Sequence, residues 1–496
     1  MRTIIALVFV FVFSSCAFAQ TVEERLQELE KTMKKQEQTI QELKTLQKTV
    51  KQQEQTISEQ RRLIEILSAK VQKPQPPAAP PAATAVETAS AEQVQQEVEE
   101  LKEQVGSVAQ AQKKQILSVF NPAIGLVGET VFSYSGKGSK ATGSDRPGGW
   151  DVNQRSVELN LAATIDPFAK GYAVINASAD PITGEATASV EEAALQTTSL
   201  PCNLELKAGR FFGEFGRLAY IHDHELPFVN RPLVLDQYIG GESRTDGAQL
   251  NWLLPTEHYY SLTVGVGDGF GSVPNDVGDF NNGNFRNFGG LSFFGRGSTS
   301  FDLTPDLSLE PGISGLANPN TLDRGGVLAL PNNTPVTLPE FPGSTLALRE
   351  RSLEGVDLTL SWKPLRNNQF NSIIWGTELL HSGNRYDVMP TPGGALFSPF
   401  SRDVDSYGMY SYIVYKWSRE WSAGFLFDGL EDAANNANRT FAYSPFITWT
   451  ISHWNQLRLQ YTHTDHNTES GLRPDDAVYL QWDWIIGSHS HGWQQR

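Results

Sequence analysis

Cysteine is almost absent from this 496-residue chain, which holds only Cys16 and Cys202. Cys16 falls in an N-terminal segment that reads as a cleaved leader. That leaves Cys202 alone, and one thiol excludes an intramolecular disulfide. Long apolar runs are missing as well. After residue 20 nothing approaches the ~20 consecutive apolar residues that a spanning helix needs; 39% of the chain is hydrophobic and the mean hydropathy is -0.33. Such a chain enters a membrane only as a closed barrel, because lipid offers no partner to free backbone groups. Positive charge is short too: 40 Lys and Arg stand against 56 Asp and Glu, a net charge of -16. That excludes the basic stripe of a nucleic-acid binder. There is no G-x-S-x-G, so no nucleophile with its base is read, and neither enzymatic activity nor a cofactor is expected.

What is present begins with residues 1–19, which read as a signal peptide. Arg2 precedes the apolar run Ile4 to Phe13, and Ala17-Phe18-Ala19 is a small-x-small cleavage site before Gln20. Residues 20–72 are rich in Gln, Glu and Lys. Val22, Leu29, Leu43, Val50, Ile57 and Ile64 fall on one seven-residue lattice, interrupted at Gln36, with Leu26, Met33 and Ile40 on a second. That is the a/d seam of a coiled coil, long enough at ~1.5 Å per residue to reach about 75 Å into the periplasm. A Pro/Ala-rich stretch, residues 73–86, is a semi-rigid linker. Residues 87–118 carry a second seam at Val94, Val98, Leu101, Val105 and Val108.

From residue 119 to 496 the composition changes to glycine, aromatics and β-branched residues in short segments with two-residue alternation. Leu457, Leu459 and Tyr461 alternate with Arg458, Gln460 and Thr462; Tyr479, Gln481 and Asp483 alternate with Leu480, Trp482 and Trp484. The pattern predicts an all-β transmembrane antiparallel barrel of about sixteen strands, within about two, following an α-helical coiled-coil stalk. A soluble sandwich alternates in the same way, so the regular strand count, the leader and the charge on the inward phase decide for the barrel. Tyr410, Tyr412, Tyr415, Trp417 and Trp421 are placed in the aromatic girdle at the lipid boundary. The last strand is expected to end near Gly487, and residues 268–300 and 318–348 are expected to be long loops.

The alternation breaks most clearly between residues 203 and 254. A strand at 203–210 runs into a long connection, 211–246, before a strand at 248–253. Leu226, Phe228, Leu233 and Leu235 are interleaved there with charges of both signs, which favours a packed segment over a mobile tip. Folded into the lumen, it would form a pore constriction from Arg210, Glu214, Arg217, Asp223, Glu225, Arg231, Asp236, Glu242 and Arg244. Facing charges of opposite sign set a transverse field that selects small hydrated solutes. A salt-bridged surface loop is the alternative.

This stretch resembles the phosphate-selective porin O/P family of bacterial outer-membrane porins. The resemblance rests on Lys207-Ala208-Gly209-Arg210-Phe211, Phe215-Gly216, Leu226-Pro227-Phe228-Val229-Asn230-Arg231 and Arg244-Thr245-Asp246-Gly247. It implies a homotrimer of antiparallel barrels in outer-membrane lipid, each with a pore narrowed by inward loops, with the stalk in the periplasm. Two departures stand out. The family's basic ladder has little counterpart here: beyond residue 120 the lysines are Lys137, Lys140, Lys170, Lys207, Lys363 and Lys416, which favours a general or mildly cation-preferring pore. The chain also closes on Trp493-Gln494-Gln495-Arg496 rather than on an aromatic residue.

Two further readings remain open. His222 with His224, His463 with His466, and His489 with His491 are spaced to supply half of a metal shell, with Asp223, Glu225 or Asp465 adding oxygen. No cysteine cluster or HExxH accompanies them, so no metal is expected, with His222 and His224 as the candidates for a divalent-metal-preferring channel. The stalk would also suit a tether from the outer membrane to peptidoglycan, with the pore incidental.

Overall fold

In the computed structural model, the described residues are 123–136, 148–179, 184–271, 290–319, 344–364, 371–390, 398–468 and 471–487. The leader, both coiled-coil segments and the linker lie outside them, as do the His489 and His491 pair and the C-terminal residues.

The strands are β1 (Ala123–Ser135), β2 (Gly149–Asp166), β3 (Ala169–Ala179), β4 (Ala186–Thr197), β5 (Leu204–Phe212), β6 (Arg244–Leu253), β7 (Tyr259–Asp268) and β8 (Ser292–Thr304). They continue as β9 (Leu307–Asn318), β10 (Ser344–Trp362), β11 (Ser372–Pro390), β12 (Phe400–Lys416), β13 (Trp421–Glu431), β14 (Arg439–Ser452), β15 (Asn455–Thr468) and β16 (Gly471–Gly487). Each pairs antiparallel with its chain neighbours, and β1 pairs with β16 from Gly125↔Gly487 to Ser135↔Ala477, closing a sixteen-stranded barrel. Closure leaves no sheet edge, so every strand has a partner on both sides. No described helix is long and apolar enough to cross a membrane.

The expected last strand ends at Gly487 as read, but the strands around the long connection extend further than expected. β5 runs to Phe212 and β6 begins at Arg244, so the connection is residues 213–243. Similarly, β8 begins at Ser292, well inside the expected 268–300 loop.

The two faces of the wall settle what the alternation means. Inward positions are polar: Glu158, Asn160, Gln249, Asn251, Thr263, Thr359, Glu378, Gln460 and Gln481 are all buried. Outward positions are apolar: Ile313, Val356, Leu379, Ile413, Leu459 and Leu480 are exposed. A soluble barrel buries its apolar face, and this one presents it outward, which is the arrangement that lipid requires.

Aromatics collect near both rims. Phe168, Trp362, Tyr415, Trp417 and Trp454 are exposed toward one end, and Tyr134, Trp150 and Phe400 toward the other. Tyr410 and Tyr412 depart from the expected girdle. They are 0% and 5% exposed and face the lumen, because their parity on β12 is that of the inward row while Tyr415 has the opposite one.

Connections differ by end. On one side they are brief, such as residues 167–168, 305–306 and 453–454; on the other the connection 213–243 is long. Both ends of the barrel, Ala123 and Gly487, sit on the short-turn side.

Candidate functional site

Residues 213–243 leave β5 and return to β6, and their base is closed by hydrogen bonds. Gly213 N donates to Ser243 O at 2.9 Å, Ser243 Oγ to Gly213 O at 2.7 Å, and Ser243 N to Ala219 O at 2.8 Å. Beyond this neck the segment meets walls that lie far apart around the circumference. Gly216 N donates to Ser314 Oγ on β9 at 2.9 Å, and Arg217 N to Glu378 Oε2 on β11 at 3.1 Å. Val229 N donates to Gln460 Oε1 on β15 at 2.8 Å, and Arg155 on β2 donates to Val229 O at 2.6 Å. Only a path through the interior reaches β2, β9, β11 and β15 together.

Apolar packing fixes one flank. Phe215, Leu226, Phe228, Val234, Leu235 and Tyr238 are buried against Phe270, Phe294, Leu316, Leu353, Leu380, Tyr410, Tyr412, Leu430 and Phe446 of the wall. Phe228 meets Tyr412 and Phe446 edge-on, with centroids 5.7 and 6.1 Å apart. A single helix, α1 (Leu233–Tyr238), lies against β12 and β13, and Tyr238 Oη donates to Glu431 O at 2.9 Å. Gly216 turns the chain at φ +59°, and a Cβ there would lie 2.2 Å from Glu378 Oε1, so the backbone reaches this carboxylate only without a side chain.

The opposite flank is charged. His222 is held with its Nε2 3.0 Å from Glu192 Oε1 and its Nδ1 3.6 Å from both Glu158 Oε2 and Glu191 Oε2; His224 Nδ1 lies 3.1 Å from Glu158 Oε1. Burial disfavours charge on these imidazoles, but Glu158, with Glu192 and Glu191 for His222, outweighs it and holds the pKa of His222 well above its ordinary value and that of His224 above it.

The expected constriction residues divide into three groups. Within the lumen, Glu214 Oε2 accepts from Thr263 Oγ1 at 2.6 Å and Arg217 Nη1 lies 3.2 Å from Glu310 Oε2. Glu225 and His224 line a cavity of about 650 Å³ between the segment and the short-turn ends of β12 to β16, together with Lys416, Glu420, Arg458 and Asp483.

A second group ties the segment to itself. Arg231 donates from Nε to Asp223 Oδ1 at 2.9 Å and from Nη1 to Leu218 O at 2.8 Å, and lies 3.6 Å from Glu242. Burial raises the pKa of Asp236 to about 7, with Asp223 adding to the effect and Arg231 opposing it. Burial, then Glu191 and Asp223, push Glu242 well above the usual carboxylate range.

Arg210 and Arg244 form the third group and depart from the expectation. On β6 the inward row is Thr245, Gln249 and Asn251, so Arg244 and Asp246 point outward. Arg210, paired across the strands with Asp246, joins it in a two-pronged ion pair, 2.7 Å at each prong, on the exterior.

Wall residues that face the segment went unread in the sequence: Glu129, Arg155, Glu158, Glu191, Glu192, Arg296, Asp357 and Glu378. Arg296 on β8 and Asp357 on β10 reach each other across β9, 2.6 and 2.9 Å apart, passing over Gly312. One signal was available. Glu191-Glu192 puts two carboxylates in succession where strict alternation admits one, and β4 is bulged there, with Val174↔Glu192 followed by Ile175↔Val190.

No family model matches the chain. The resemblance of residues 203–254 to the phosphate-selective porin O/P family therefore rests on the residues quoted for it. The chain is similar to an uncharacterized protein of Aquifex aeolicus (strain VF5), 26% identical over 373 residues, covering 72% of this chain and 73% of that protein. Among solved structures it is similar to an anion-selective porin from Comamonas acidovorans, with TM-score 0.46 and 8% identity over 74% of this chain and 99% of that one. It is also similar to the outer membrane channel DcaP of Acinetobacter baumannii, with TM-score 0.46 and 11% identity over 74% and 98% of the two chains. OprB of Pseudomonas putida gives TM-score 0.46 and 11% identity over 76% and 96%.

Proposed function

We propose that this protein is an outer-membrane porin, through which small hydrophilic solutes or ions diffuse passively past a constriction made by residues 213–243. The observation that carries this reading is a charged segment crossing the interior of a closed barrel whose outer wall is apolar. Lipid seats the wall, the polar inner row wets the lumen, and the segment narrows the passage that remains. Solutes would pass Glu214, Arg217, Asp223 and Glu225, a mixed field in which size and sign both count. Carboxylates predominate around the segment, so the pore is weakly cation-preferring, not a basic ladder for phosphate.

The same reading includes a homotrimer joined through the coiled coil of residues 20–72 and 87–118, in the periplasm. It assigns the chain no catalytic step.

Single-channel conductance of the purified protein in a planar bilayer, with the reversal potential in a KCl gradient, tests it. Stepwise conductance with a small reversal potential of cation-selective sign is expected. Strong anion preference would mean that the arginines at the segment govern the field and would return the phosphate-type reading. Absence of conductance would overturn the porin and leave a plugged barrel serving as a peptidoglycan tether.

A further inference from the structure

The charged flank brings three ligand-type atoms together at one point. His222 Nδ1 is 3.6 Å from Glu158 Oε2 and 3.6 Å from Glu191 Oε2, ion-pair distances that leave room for an ion between them. Two ligands at ~2.1 Å from a shared ion at a tetrahedral angle lie about 3.4 Å apart. All three residues are buried, and their ligand atoms lie within 4.8 Å of one another.

Glu191 supplies an independent observation. It is 6% exposed, the bulge in β4 aims it at this point, and its Oε2 makes no hydrogen bond of normal length among the described residues, with only His222 to set against the carboxyls of Glu158 and Glu242 beside it. Carboxyls that outnumber the imidazoles beside them are costly to bury, and a bound cation offsets that cost.

The surroundings are arranged as metal ligands usually are. His222 Nε2 lies 3.0 Å from Glu192 Oε1, the carboxylate–histidine pairing that turns the opposite ring nitrogen toward a metal. His224 Nδ1 holds the other oxygen of Glu158 at 3.1 Å, and Asn176 Nδ2 holds the other oxygen of Glu191 at 3.4 Å. Each ligand is thus gripped by its far atom and presents its near one.

We infer that Glu158, Glu191 and His222 bind a divalent transition-metal ion that clasps residues 213–243 to the wall of β2 and β4. One nitrogen and two carboxylate oxygens suit a zinc-like ion, with a fourth position open to water. Binding displaces any proton on His222 Nδ1 to solvent, because the ligand nitrogen is neutral. The inference stands on this geometry and does not depend on the transport reading.

The test uses the full-length protein in detergent, stripped with EDTA and titrated with Co²⁺, whose visible absorption reports low-coordinate binding, and with Zn²⁺ by calorimetry. One ion per chain and an absorption band are expected. Glu191→Gln should weaken binding at least 100-fold. Glu192→Gln should keep the band but weaken binding about tenfold, the cost of a lost supporting partner. Retention of the SDS heat shift shows each variant still closed; if Glu191→Gln lost it, Glu158→Gln takes its place. No saturable binding by the stripped protein, or unchanged binding in Glu191→Gln with loss in His463→Ala, overturns the inference.

Discussion

Residues 213–243 are gripped on two sides by different physics. Toward β8 to β14 the contact is mainly an apolar cluster around Phe215, Phe228, Val234 and Leu235, with Gly216 and Arg217 bonded to Ser314, Glu310 and Glu378 at its edge. Toward β2 and β4 it is carboxylate, imidazole and guanidinium: Glu158, Glu191 and Glu192 around His222 and His224, with Arg155 bonded to Val229 O and Asn230 Oδ1. Apolar burial holds no charge for salt to screen or pH to titrate, whereas charged contacts beside the lumen answer to both. The difference assigns the two sides different tasks. The apolar side keeps the segment inside the barrel, and the charged side adds contacts that salt and pH can weaken.

The largest effect is expected where the apolar grip is broken. Phe228 is fully buried, so Phe228→Ala removes a ring from between Tyr412 and Phe446 and leaves a cavity. The expected cost is about 3–4 kcal/mol of local stability. Limited proteolysis should then cut between residues 213 and 243 while the SDS heat shift persists, because strand pairing is untouched. A segment as resistant as wild type would show that the charged side alone suffices to hold it.

A smaller loss is expected on the charged side. Arg155 donates to Val229 O at 2.6 Å and to Asn230 Oδ1 at 3.0 Å, and lies 3.1 Å from Glu129, which is 1% exposed. Arg155→Ala leaves Glu129 with Gln481 as its side-chain partner and frees Val229 O, at a cost of about 2 kcal/mol. The measurement that separates the sides is salt. Between low salt and 1 M KCl the wild-type segment should become more open to protease, Arg155→Ala less so, and Phe228→Ala by as much as wild type. Equal salt sensitivity in all three would erase the distinction.

Why the wall was easier to read than the site lies in parity. Alternation has a period of two, so Leu459 outward and Gln460 inward follow from a single phase, as does a last strand ending at Gly487. A bulge resets that phase. Arg155 is the extra residue where Glu129↔Ser156 is followed by Thr130↔Gln154, and Glu191 is the extra residue in β4. Both bulges turn a charged side chain toward the segment, and neither position follows from counting by twos. The partners of His222 lie on two strands brought together by the closing sheet, so no spacing near His222 encodes them. Tyr410 and Tyr412 failed for the converse reason: tyrosine suits a membrane boundary and a lumenal core equally, and only their shared parity decides.

The smallest effect should come from the outside of the wall. Arg210 resembles a constriction residue in sequence because it flanks the segment, yet it and Asp246 occupy outward positions on β5 and β6, with side chains 39% and 47% exposed. An exposed pair of this kind contributes less than about 1 kcal/mol. Its charges are separated from the lumen by the wall itself. Arg210→Ala should therefore leave conductance and reversal potential as in wild type, whereas Arg217→Ala, beside Glu310 on the inner face, should shift the reversal potential further toward cations. If Arg210→Ala shifted the reversal potential as far as Arg217→Ala, the outward phase assigned to these strands would be wrong. The charged field would then belong to the whole neighbourhood of residues 203–254 and not to the inward segment alone.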